Sequence, residues 1–167
     1  METALTRDAH IEVPIICGAM YPCSNPELVA AVSEAGGIGI VQPLTLVHVF
    51  DLPLREGFER IRQLTQKPIG MNLILEQSSK VYEDRMRAYL DIAIESGERF
   101  FVTALGNPKW VADRVHAAGG VVYHDVTNRK WADKGIAAGV DGLICVNNRA
   151  GGHAGQNGLR SIIGRMG

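Results

Sequence analysis

The chain has 167 residues, 46% of them hydrophobic and 21% charged, with a formal net charge of -1. That is the length of one domain or slightly more, enough to bury a core without disulfide or metal staples. A near-neutral surface offers no field to recruit nucleic acid or anionic lipid, so the expected partners are small molecules or copies of the chain itself.

The opening stretch METALTRDAHIE has no apolar targeting core, and no run approaches the roughly 18 apolar residues of a membrane span, which reads as a cytoplasmic protein. VPIIC, from Val13, is the first strand pattern. NPELVAAVSEAG follows as a complete helix, with Asn25 as cap, Pro26 at the first position, Glu27 in the first turn and Gly36 as stop. GIGIV, from Gly37, is a second strand, and REGFERIRQLTQ carries a helix in the looser segment 45–67. PIGMNLI from Pro68 is the third strand, and SSKVYEDRMRAYLDIAIESG places Val81, Met86, Tyr89, Leu90, Ala93 and Ile94 near helical spacing before Gly97. RFFVTA from Arg99, GGVVYHDV from Gly119 and DGLICV from Asp141 complete six strands. Between them lie two shorter helices, opening on Asn107 and Thr127 and closing on glycine.

Strand and helix therefore alternate, which implies parallel strands joined by right-handed crossovers. An open doubly wound sheet competes with a closed (β/α)8 barrel of the TIM type. The turn after the first strand, GAMYPCSNP, lacks the glycine fingerprint of dinucleotide-binding sheets, and GGIGI leads into a strand rather than out of one. The barrel is favoured, as a single domain over 1–167. At about 31 residues per β/α unit, however, the chain supplies about six of the eight, an apparently incomplete barrel. The three cysteines show no metal or disulfide spacing. Cys17 and Cys145 sit in apolar strands and read as buried thiols, and Cys23 sits in a turn. No metal site is expected.

In a parallel barrel the ligand lies at the carboxyl ends of the strands, so polar residues there need explaining. Gly18-Ala19-Met20 end the first strand, Asn72 lies in the third, Thr103 in the fourth, His124-Asp125 in the fifth, and Asn147-Asn148 follow the sixth. Alternation gives Gly70 and Asn72 one face, and Tyr123 and Asp125 one face, so Asn72 and Asp125 are expected toward a common interior. Asn72 can equally cap a turn, and Asp125 can cap the helix beginning near Thr127. His124 points the other way and reads as a strand-end or surface residue, as His10, His48 and His116 read as surface positions. The loop AGGHAG, residues 150–155, differs in kind. Its glycines let backbone amides approach a flat ligand, and its missing side chains leave room for a ring above the imidazole of His153; the alternative is a glycine-rich surface loop that happens to contain a histidine.

VPIICGAMYPCSNPELVAAVSEAGGIGIV, GMNLI, FFVTALGNP and above all AGVDGLICVNNRAGGHAG resemble the FMN-dependent nitronate monooxygenases, formerly called 2-nitropropane dioxygenases. Flavin-type enoyl-acyl-carrier-protein reductases and some flavin NADH:quinone reductases share the pattern. The resemblance covers nearly all of the chain to Gly155. It implies an FMN-binding TIM barrel in which Gly18, Ala19, Met20 and Asn72 contact the isoalloxazine. Gly151, Gly152 and Gly155 would line the phosphoribityl side, Asp125 would stand near the pyrimidine edge, and His153 would be the catalytic residue, as general base toward nitroalkanes or as the group that hydrogen-bonds the nitronate. The implied substrates are a nitronate or nitroalkane and dioxygen. Departures from the pattern are Val146 where many members carry glutamine, Arg149 where they carry an acid, and Asp125 where some carry lysine. The family holds the FMN phosphate on loops after strands seven and eight, beyond the six read here. A homo-oligomer is one way to close the two edges of a six-strand sheet. Two other readings stay open: an FMN-dependent NAD(P)H reductase, and a non-catalytic barrel fragment.

Overall fold

The computed structural model describes residues 2–76, 79–152, 154–156 and 158. Its centre is a sheet of six parallel strands in chain order: β1 (Ile16–Cys17), β2 (Ile38–Val41), β3 (Ile69–Ile74), β4 (Phe100–Ala104), β5 (Val121–Val126) and β6 (Gly142–Cys145). Every strand pairs with its successor, as right-handed β/α units require, and the sheet curls into an open half-barrel. The fold is thus the incomplete TIM-type barrel expected from the alternation of patterns.

Helices α1 (Ala4–Asp8), α2 (Pro26–Glu34), α3 (Pro43–His48), α4 (Leu54–Leu64), α5 (Lys80–Glu95), α6 (Lys109–His116) and α7 (Arg129–Ala137) complete the described structure. None is long and apolar enough to cross a membrane. The strands are apolar on both faces because both are covered. On the outer face Val41, Met71, Leu73, Phe101 and Val122 pack beneath Phe58 and Ile61 of α4 and Leu90 of α5. On the inner face Ile38, Ile40, Phe100, Val102 and Tyr123 form a second cluster, plugged from the amino-terminal side by Ala9 and Ile11 after α1. Gly39 marks how tightly α2 sits on β2, since a Cβ there would collide with the backbone of Val29.

Several local expectations need correcting. The caps near β4 and β5 sit one residue later than read: α6 follows Pro108, and α7 is capped by Asn128, whose side chain accepts from the Trp131 amide. That removes helix capping as the role of Asp125. Val81 is 71% exposed, because it lies on the outer face of the first turn of α5. Cys17 and Cys145 are half-buried rather than buried, since β1 and β6 are the two edges of the described sheet. His124 is buried, covered by α7 where Gly135 permits close approach. Two helices, α1 and α3, were not anticipated: both are short, and α1 is held by a capping box between Thr3 and Thr6.

Candidate functional site

The carboxyl ends of the strands form the mouth of the half-barrel, and the register fixes which side chains share it. Asn72 stands opposite Val102, which stands opposite Tyr123, all on the inner face. Two residues on, Asp125 lies opposite Ile144, one step nearer the mouth. The common interior expected for Asn72 and Asp125 is therefore present.

Both side chains are short of partners. Asn72 is 8% exposed, yet among the described residues no side-chain hydrogen-bond partner is found for it. Asp125 likewise has none, and burial alone raises its carboxyl to about 6. Neither polar tip is sealed off, since the Thr45 hydroxyl is the side-chain atom left buried without a partner among the described residues; the Asn72 amide and the half-buried Asp125 carboxyl instead open toward the mouth, where they can meet a ligand.

Around them the backbone is open. A Cβ at Gly18, Gly151 or Gly152 would meet no heavy atom within 4 Å. Gly152 adopts a φ of +69°, which a side chain would strain. Ala19 packs against the inner cluster, whereas Met20 is 44% exposed beside it. Gly155 has a different reason for being glycine: it is buried, and a Cβ there would strike the carbonyl of Val146. The loop folds back on Asn147, whose carbonyl accepts from the amides of Ala150 and Gly155 at 3.2 Å each and whose side chain accepts from Arg149 N at 2.7 Å. Sequence reading missed this anchor, although Asn before a glycine-rich turn is the available signal. His153 lies outside the described residues.

The residues of β4 and β5 that point outward make a second polar pair. Thr103 Oγ1 lies 2.9 Å from His124 Nδ1 and 3.3 Å from the Tyr123 carbonyl. Among the described residues there is no group of acids, histidines and cysteines able to hold a metal ion.

The profile of the nitronate monooxygenase family matches residues 2–166. The chain belongs to the nitronate monooxygenase family. Among curated relatives it is 28% identical over 155 residues to a (3aS,4S,5R,7aS)-5-hydroxy-7a-methyl-1-oxo-octahydro-1H-indene-4-carboxyl-CoA dehydrogenase of Rhodococcus jostii, covering 93% of this chain and 41% of that protein. It is 35% identical over 91 residues to a nitronate monooxygenase of Pseudomonas aeruginosa, covering 54% of this chain and 25% of that one. Among solved structures it superposes on FabK from Thermotoga maritima with a TM-score of 0.79 and 32% identity, over 94% of this chain and 48% of that chain. Monooxygenase and dehydrogenase alike denote oxidoreductases, the class of this family. The chain spans less than half the length of these relatives.

Proposed function

We propose that this nitronate monooxygenase family member binds FMN at the mouth of the half-barrel and serves the oxidation of alkyl nitronates or nitroalkanes by dioxygen. The observation that carries the reading is the pairing of two polar groups without a hydrogen-bond partner among the described residues, Asn72 and Asp125, with backbone left bare at Gly18, Gly151 and Gly152. This donor set suits a flat heteroaromatic ring: an amide that both donates and accepts, a carboxylate for a ring N–H, and glycines that leave a face uncovered. Bound FMN would supply the electron transfer and the oxygen chemistry.

The protein's own part is to bind, orient and move a proton. Asn72 would fix the ring by hydrogen bonds, with Gly18, Ala19 and Met20 against its edge, and Gly151 and Gly152 toward the ribityl side. His153 would take the proton from the carbon beside a nitro group, leaving its electron pair to the nitronate, chemistry open to an imidazole at neutral pH without a metal. Gly155 would act indirectly, by letting the loop close on Val146. The apolar inner cluster beneath would exclude water from a ring bound there.

Reconstitution of the chain with FMN, read by absorbance and stoichiometry, tests binding; a chain that takes up no FMN overturns the reading. His153→Ala is expected to keep flavin and to lose activity on neutral nitroalkanes at least about a hundredfold, with a smaller loss on preformed nitronates. A second reading, an FMN-dependent reductase using NAD(P)H, is supported by the likeness to the CoA dehydrogenase and to FabK. Rapid flavin bleaching by NAD(P)H without nitronate would favour it.

A further inference from the structure

On the outer face of β5, at the same carboxyl end as the mouth, a cavity of about 650 Å³ lies between the β4–α6 connection and α7. Its walls are largely apolar, with Leu105 and Pro108 on one side and Trp131 on the other. Leu105 is 59% exposed and Trp131 42% exposed, two large apolar side chains left on open ground. Lys134 lies on the same wall, its ammonium 4.7 Å from the centroid of the Trp131 ring, and Lys109 lies opposite, already paired with Asp113. Asp125 and Thr127 border the cavity at the strand end.

His124 also lines this cavity, though its side chain is otherwise sealed in: the residue is 5% exposed. The Thr103 hydroxyl lies between a carbonyl, which can only accept, and the ring Nδ1. Both contacts are satisfied together when the hydroxyl donates to the Tyr123 carbonyl and Nδ1–H donates to Thr103 Oγ1. That assignment leaves the lone pair on Nε2, for which no partner is found among the described residues. Burial lowers the ring's pKa, and hydrogen bonding to the Thr103 backbone opposes this only partly, so the imidazole is neutral and an acceptor at pH 7. An acceptor with a fixed tautomer on a mostly buried ring, open to an apolar space edged by lysine, has the make-up of a binding site.

We propose that this cavity is a second ligand site, which takes a ring-sized apolar anion carrying one N–H or O–H group. His124 Nε2 accepts from that group, Trp131 and Leu105 sandwich the apolar body, and Lys134 faces the negative charge. The site is distinct from the flavin site proposed at the mouth, since its floor is the outer face of β5, although Asp125 borders both.

Anilinonaphthalene sulfonate has the required features: fused and single rings, one amine N–H and one anion. Titrated into the full chain, it is expected to show one saturable fluorescent site. Trp131→Ala should weaken that site about tenfold and Lys134→Gln about threefold to fivefold, the latter effect shrinking with salt. Both positions lie on the accessible side of α7, and a circular dichroism spectrum matching the native chain checks each fold. In the native chain, with no substitution, the His124 Nε2 nitrogen resonance should lie in the unprotonated range and shift on saturation. Non-saturating fluorescence, affinity unchanged in both variants, or a His124 resonance that stays put would each overturn the proposal. Failure of FMN uptake would bear on the mouth alone.

Discussion

The two ends of the half-barrel treat their polar groups in opposite ways. At the amino-terminal end they are paired. Arg62 Nη2 donates to both oxygens of Glu98 at 2.7 Å, and Tyr123 OH donates to Asp8 at 2.8 Å. Asp141 accepts from the Val122 amide at 2.7 Å and lies 2.9 Å from His116 Nε2, while Lys67 meets Glu12 at 2.9 Å. At the carboxyl end Asn72, Asp125 and the Nε2 of His124 have no partner among the described residues. The contrast separates a face built for stability from one whose hydrogen-bonding capacity is left for ligands, as barrels generally divide their two faces.

Substitutions at either end should therefore differ in sign. Arg62→Met leaves Glu98, only 1% exposed, buried without its counter-charge, and should lower stability by about 3 kcal/mol in a urea titration. Desolvation holds the Glu98 carboxyl up at about 7 against an ordinary 4.5, Arg62 notwithstanding, so the folded chain binds a proton that the unfolded chain has released. Stability accordingly falls as pH rises from 4.5 to 7, and Arg62→Met, by removing the charge that holds the carboxyl down, should extend that fall to higher pH.

The opposite sign is expected at the mouth. Asp125→Asn removes a carboxylate that burial disfavours, and should raise stability at pH 8 by about 1 to 3 kcal/mol while weakening ligand binding. Because the carboxyl is held at about 6 against 3.8, that gain is full above 6 and is lost as pH falls below 3.8, where both states are protonated. A loss of stability at pH 8 would mean that Asp125 has a structural partner and would break the comparison.

Smaller effects sharpen it. Tyr123→Phe removes the hydroxyl that donates to Asp8 and should cost about 1 kcal/mol. In α3, just beyond the carboxyl end of β2, the Thr45 hydroxyl is buried without a hydrogen-bond partner, and Thr45→Val should be neutral or stabilise by up to about 1 kcal/mol. Midpoint shifts in thermal unfolding check both.

Much of this division could be read in the sequence, and for identifiable reasons. The apolar runs around Ile38, Met71 and Phe101 are long or β-rich enough to declare buried strands, and Asn25-Pro26 declares its helix unaided. Alternation then suffices to send Asn72 and Asp125 inward and His124 outward. What alternation cannot supply is the surroundings. His124 reads as a surface residue until Gly135 is known to bring α7 down upon it, and Gly155 reads as a ligand glycine until Val146 is seen beneath it. The amino-terminal plug escaped notice because α1 has only five residues and depends on Tyr123, far along the chain.

That last dependence bears on the order of assembly. Strands that pair strictly with their successors can be added one unit at a time as the chain emerges, each addition closing only a short loop. The staple from Asp8 to Tyr123 spans 115 positions and must wait for β5, so α1, though it precedes every described strand in the chain, is held in full only after β5 has formed.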